Sequence, residues 1–173
     1  MLNNTDHNLH VYFGDIHNHC NLSYGNGSLS DALYNAQLQL DFASVTVHAV
    51  WPDLPKNEQH NTIGKFVTFP SFEWHSIKYG DHCVYYKQSD NNPIIDAPDL
   101  PSLRESLRNI NTPSFLIPHH IGYKQGSRGI NWQTFSDEMS PVAEIFSFHG
   151  LSEASEGPYP YLHSMGPRHE HST

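Results

Sequence analysis

Cysteine and positive charge are both scarce in this chain. Only Cys20 and Cys83 occur among 173 residues, which excludes a disulfide scaffold and a four-cysteine zinc module and suits a reducing compartment. Lysine and arginine together number 9 against 18 acidic residues, and no basic cluster is long enough to follow a phosphate backbone. Nucleic-acid binding by charge is therefore not expected. Long apolar runs are absent too, and MLNNTDHNLHVYFGD at the N-terminus has neither a basic head nor an apolar core. A soluble, cytoplasmic chain without a membrane partner is the expectation.

What is abundant is histidine. The 14 histidines outnumber lysine and arginine combined, and imidazole is the commonest metal ligand and the usual switch near neutral pH. Their positions follow a pattern. VYFGDIH reads as a strand that runs into His17-Asn18-His19. In extended chain, residues i and i+2 share a face, so Asp15, His17 and His19 project together.

The rest of the chain alternates strands and helices, with no internal repeat. Ser28 or Ser30 caps a helix in DALYNAQLQL whose Leu33, Ala36 and Leu40 form one stripe. Ala43–Val47 is a short β-branched run ending at His48, which completes a βαβ unit with parallel strands. AVWPDLPKNEQHNTIG has two prolines and reads as a surface excursion.

Phe66–Trp74 is a strand weakened by Pro70 and carrying Glu73, and His82–Lys87 is a strand joined to it by a hairpin turn. LPSLRESLRNI is a helix with Pro101 in its first turn and Leu103, Leu107 and Ile110 on one face. Phe115–Ile117 leads to His119 and His120, and Ala143–Phe148 leads to His149. Residues 1–153 are expected to form one α/β domain and residues 154–173 an irregular tail.

His17, His19, His48, Glu73, His119 and His149 thus all fall at or just past strand ends, which in a parallel β/α array share one rim. A single histidine is more often a surface or hydrogen-bonded residue than a ligand. Donors at five strand ends are harder to assign to chance. Imidazoles with one carboxylate suit zinc, manganese or iron rather than magnesium or calcium. There are too many donors for one tetrahedral ion, so two or more are expected, bridged by Glu73.

GDIHNHC, SVTVH, FEWHS, IPHH and EIFSFHG, in this order, resemble the polymerase and histidinol phosphatase (PHP) superfamily from about Val11 to Glu153. The likeness is greatest to an uncharacterised branch in which Gly-Asp precedes the His-x-His. The resemblance implies a distorted (β/α)7-type barrel, two or three divalent ions, and hydrolysis of a small phosphorylated substrate. It also implies that His17 and His19 hold a first ion, that Glu73 bridges to a second held by His119 and His149, and that His48 serves a third. Glu73 and His149 would then lie at the reacting centre, with His120 as an alternative to His119.

The chain departs from that pattern where Thr46-Val47-His48 stands for Thr-Asp-His, and where Ser23, Tyr24 and Gly25 occupy a region that often holds a further histidine. The late Asp-x-His is not found before Thr173. With only five or six strands of the barrel in the sequence, its open edges would call for a longer protein or completion by another copy. A metal-binding but inactive chain is the alternative expectation, and a pH-sensing interaction module a third.

Beyond the ligands, Asp15 is expected to support an imidazole N–H, and His75 and His82 are reserve or substrate-facing groups. Lys124 and Arg128, in the glycine-rich loop after His120, are candidates for gripping an anionic substrate. Cys20 should be a buried thiol, and His163, His169 and His171 belong to the tail.

Overall fold

The computed structural model describes residues 9–51, 54–88, 92–153 and 159. The tail histidines His163, His169 and His171 lie outside the described residues. Strand β1 (Gly14–Asn18) is followed by helix α1 (Leu29–Gln37), then β2 (Phe42–Val45) and β3 (Val47–His48). Next come β4 (Val67–Thr68), β5 (Ser71–Trp74), β6 (Asp81–Tyr86), helix α2 (Leu100–Arg108) and β7 (Ser114–His119). A small hairpin, β8 (Phe146–Ser147) and β9 (Gly150–Leu151), ends the described chain. No described helix is long and apolar enough to cross a membrane.

The strands form two sheets, ordered β1-β2-β4 and β3-β5-β6-β7, beside the small hairpin. Thr46 alone separates β2 from β3, and Phe69 and Pro70 separate β4 from β5, so two adjacent chain segments pass from one sheet into the other. Pro70 has no N–H to give a ladder. The carbonyls stranded at that break are met by side chains. Asn57 Nδ2 donates to the Val45 and Phe69 carbonyls at 3.0 and 2.8 Å, and Ser44 Oγ donates to Phe69 at 2.6 Å. The segment read as a surface excursion therefore sends a fully buried asparagine beneath the sheet, because the kink leaves acceptors that only a side-chain donor can reach.

The structure is α/β, as expected, but among the described residues the sheets are not closed into a barrel. The hairpin expected between Glu73's strand and His82–Lys87 is present: β6 runs antiparallel between β5 and β7, because the 75–80 connection is a tight turn rather than a helix. An antiparallel strand inserted between two others leaves them parallel to each other. The ends of β3, β5 and β7 therefore still point one way, as do those of β1, β2 and β4.

Alternation along the central strands divides the interior. Phe72, Trp74, Val84, Tyr86 and Leu116 face α2, where Leu100, Leu103 and Leu107 complete a core. Cys83, Tyr85 and Ile117 point the other way and pack with Ile16, Phe69 and Phe115. Burying each large side chain contributes roughly 1.5–3 kcal/mol. On the far side α1, capped by Ser28, packs Leu33 against Ala43, Val45, Phe66 and the buried thiol of Cys20. Gly14 permits close passage of β1 over β2, since a side chain there would collide with the ring of Phe42. Tyr85 Oη donates to the Ile16 carbonyl at 3.1 Å, linking β6 to β1 across the fold.

Candidate metal centre

Glu73 sits at the C-terminal end of β5 with 2% of its surface exposed, and five imidazoles surround its carboxylate. Its Oε2 lies 3.0 Å from His48 Nε2, 3.3 Å from His19 Nε2 and 3.7 Å from His17 Nε2. Its Oε1 faces His119 Nε2 at 3.6 Å and His75 Nδ1 at 3.9 Å. Ligand atoms about 2.0–2.1 Å from a tetrahedral ion stand roughly 3.3 Å from one another, so these spacings suit a coordination sphere. Three groupings include Glu73, with His17 and His19, with His48 and His75, and with Asp81 and His120, each with donor atoms within 4.8 Å of one another. By distance, Oε2 faces His17, His19 and His48, and Oε1 faces His75 and His119.

A second carboxylate, Glu144, was not anticipated from the sequence. Its Oε2 lies 2.6 Å from His17 Nδ1 and its Oε1 2.6 Å from His119 Nδ1. An ionised carboxylate only accepts, so both Nδ1 atoms carry hydrogen. At His119, which burial and the neighbouring His17 keep below its ordinary pKa, the Nε2 lone pair is then left facing Glu73. Of residues 143–148, expected as one strand leading to His149, only Phe146–Ser147 enter a ladder, as β8. Glu144 instead donates its backbone N–H to the Pro118 carbonyl at 3.1 Å, alongside β7, and Ile145, Phe146 and Phe148 are exposed.

Asp15, expected to support an imidazole, is exposed and accepts the His17 backbone N–H at 3.2 Å instead. The register of β1 shifts between Asp15 and Asn18, which breaks the alternation that would have carried its side chain to the ring. His82 also departs from expectation. Paired with Trp74 on the α2 side of the sheet, it is buried and bonds through Nδ1 with the Gly80 carbonyl at 2.9 Å. Burial lowers its pKa to about 4.

Asp81, one residue earlier and on the opposite face, is the group that reaches the centre. It is fully buried opposite His119 in the β6–β7 register. Its Oδ1 accepts the Ser76 N–H at 2.9 Å, and its Oδ2 lies 3.3 Å from His75 Nδ1 and 3.5 Å from His120 Nε2.

His149 occupies the turn of the β8–β9 hairpin, its Nδ1 3.1 Å from Tyr123 Oη. Its ring centroid is 4.4 Å from that of His120 and 6.0 Å from that of His119, and these three histidines form a further potential ligand group. His120 is buried with Nδ1 lacking a hydrogen-bond partner. Of the two loop cations, Arg128 reaches the cluster through Asp81 and His75, whereas Lys124 is exposed.

Protonation is unevenly distributed. Burial, then hydrogen-bonding His17, His19 and His48, act in opposite senses on Glu73, and the histidines prevail, holding it well below the ordinary carboxylate range. Burial keeps His48 and His120 below the ordinary imidazole value. At His17 burial disfavours the charged ring, but its hydrogen bond to the Glu144 carboxylate and the Glu73 carboxylate close by favour it and prevail, so its pKa lies above 6.5. His17 therefore holds a proton at neutral pH that a bound ion must displace. Ion binding at pH 7 is expected to release about one proton, and affinity to rise about tenfold per pH unit below the His17 pKa. Zinc titration calorimetry in buffers of different ionisation enthalpy reads this directly. Heats independent of buffer would contradict it.

Comparison of the chain with protein-family models, with curated proteins and with solved structures finds no match in any of the three, so the centre stands on its own geometry.

Proposed function

We propose that this chain is a PHP-type, metal-dependent hydrolase of phosphate esters, with two divalent ions, zinc, manganese or iron, held about Glu73. The observation that carries the reading is the position of Glu73, one buried carboxylate with imidazoles from four separate chain segments at ligand spacing around it. His17, His19 and His48 would hold one ion with Oε2, and His119 would serve the other with Oε1, assisted by His120 or His149.

Bound there, such ions supply Lewis acidity, bringing the pKa of water to about 7 and offsetting charge on a phosphoryl oxygen. The protein's own part is to keep Glu73 ionised and to fix the His119 tautomer through Glu144. No serine or cysteine nucleophile is required. Cys83 is unsuited to that role, since burial raises its thiol to about 11. Both cysteines are free and buried, in keeping with a cytoplasmic setting.

The test is turnover of a generic phosphomonoester and a generic phosphodiester by the full chain with added manganese or zinc. Turnover that disappears in His17→Ala is the expected result. A chain that loads ions yet stays silent on both substrates would favour a metal-binding protein without this activity, completed by a second copy or not a hydrolase at all. A chain that takes up less than one ion would remove the reading altogether.

A further inference from the structure

Adjoining the Glu73 cage, and sharing His75 with it, lies a second set of donors around Asp81, which with Glu73 and His120 offers ligand atoms within 4.8 Å of one another. Asp81 Oδ2 is 3.3 Å from His75 Nδ1 and 3.5 Å from His120 Nε2. Asp81 is completely buried, and a buried carboxylate needs a counter-charge. The partner present is Arg128. Its Nε and Nη2 lie 2.7 and 2.6 Å from Asp81 Oδ2, and Nη2 lies 2.7 Å from His75 Nδ1. A guanidinium only donates, so His75 turns a lone pair toward it, as it would toward a metal.

The backbone has been bent to bring this about. Arg128 adopts φ 70° and His120, where the loop begins, φ 59°. For non-glycine residues each left-handed conformation costs about 1–2 kcal/mol. Gly129 lets the loop fold back, because a side chain there would strike the Tyr123 carbonyl. The strain is offset by the charge-assisted pair with Asp81.

We propose that Arg128 is a resident cation, its guanidinium filling a pocket of Asp81, His75 and His120 that would otherwise take a divalent ion, so that this residue limits how many ions the centre holds. A fixed single charge replaces an exchangeable double one. Guanidinium is charged at every relevant pH, so this position keeps its cation when the neighbouring sites are stripped. The inference builds on the two-ion reading of the Glu73 cage, but its readout is a difference between variants.

The experiment is dialysis of the full chain against zinc alone, followed by elemental analysis per folded chain. Arg128→Ala is expected to hold one zinc more than the unaltered protein, Arg128→Lys no more, and Arg128→Ala with Asp81→Asn to lose the extra ion. Arg128→Gln, whose shorter, uncharged side chain vacates the position of Nη2 while keeping an amide N–H donor, provides the same comparison if the alanine variant does not fold. An unaltered zinc count in a folded Arg128→Ala or Arg128→Gln protein overturns the inference, as does a gain that persists without the Asp81 carboxylate. An ion-loaded parent with no gain in the variant sinks this proposal alone. A parent without zinc whose variant gains one sinks the two-ion reading and leaves this one standing.

Discussion

Glu73→Gln is expected to weaken ion binding by more than about a hundredfold at both positions, beyond the 10–100-fold typical of losing a residue that merely orients a ligand. Turnover should vanish with it. The substitution is nearly isosteric, so packing is spared, but one oxygen becomes an NH2 donor facing imidazole nitrogens and the remaining oxygen loses its charge. Each Glu73 oxygen faces its own set of histidines, so amide orientation cannot rescue both sets. The reach of the effect distinguishes Glu73 from any single histidine. His48→Ala removes one contact of Oε2 and leaves those of Oε1, and should retain ions on the His119 side. Elemental analysis of the two variants, with zinc titration to obtain the constants, checks the contrast. Equal retention by both would mean that Glu73 is not shared.

The linkage for Glu73 has a definite sign. Its carboxyl is held well below 4.5 in the folded protein, so its contribution to stability is present above that value and is lost as pH falls through the folded pKa. His17, raised above 6.5, behaves oppositely, stabilising the ion-free protein below 6.5 and ceasing to do so as pH rises through its own pKa. Against His17 stand His48, His82, His119 and His120, which burial keeps below 6.5 and which take up protons on unfolding as pH falls. The ion-free protein should therefore have its stability maximum near neutrality and lose stability on the acid side. Bound ions would shift that maximum upward, because they require His17 without its proton.

Much of the centre was legible from one local rule, that donors collect where strands end. His17, His19, His48, Glu73 and His119 obey it, and the structure brings all five together. The Ser28 cap, the α2 face and the hairpin from β5 to β6 were likewise written in short-range pattern. What escaped depends on register and long-range contact. Asp81 looked like turn chemistry ahead of a strand, and only its pairing opposite His119 shows that it points inward. Period-two reading from Cys83, opposite Glu73, would have put Asp81 on the same face. Glu144 stood inside a run read as a single strand, since apolar alternation alone does not reveal that Ile145, Phe146 and Phe148 are exposed. Closure of a barrel is likewise not a local property.

Glu144 carries the other large expectation, because it touches ligands from both margins of the fold at once. His17 belongs to β1 and His119 to β7, strands with no backbone pairing between them, yet their rings stand 4.2 Å apart at near right angles with Glu144 bonded to each. Glu144→Gln leaves one oxygen acceptor and puts an amide donor against the other Nδ1–H. One of the two histidines must then turn or change tautomer. Zinc affinity should fall about 10–100-fold, the range for losing a carboxylate behind a ligating imidazole, while Glu144→Asp, shorter by one methylene, should restore one of the two contacts and part of the affinity. A purely structural role predicts lost stability with unchanged affinity in the protein that remains folded. The acid limb separates the cases further. Hydrogen bonds from His119 and His17 outweigh burial and lower the Glu144 carboxyl to about 2 from 4.5. A depressed pKa confers stability above 4.5 that drains away as pH falls toward 2, and this component should be absent from Glu144→Gln. Urea unfolding of the ion-free proteins across that window measures it, and identical acid limbs in parent and variant would mean that Glu144 does not join His17 to His119 in solution.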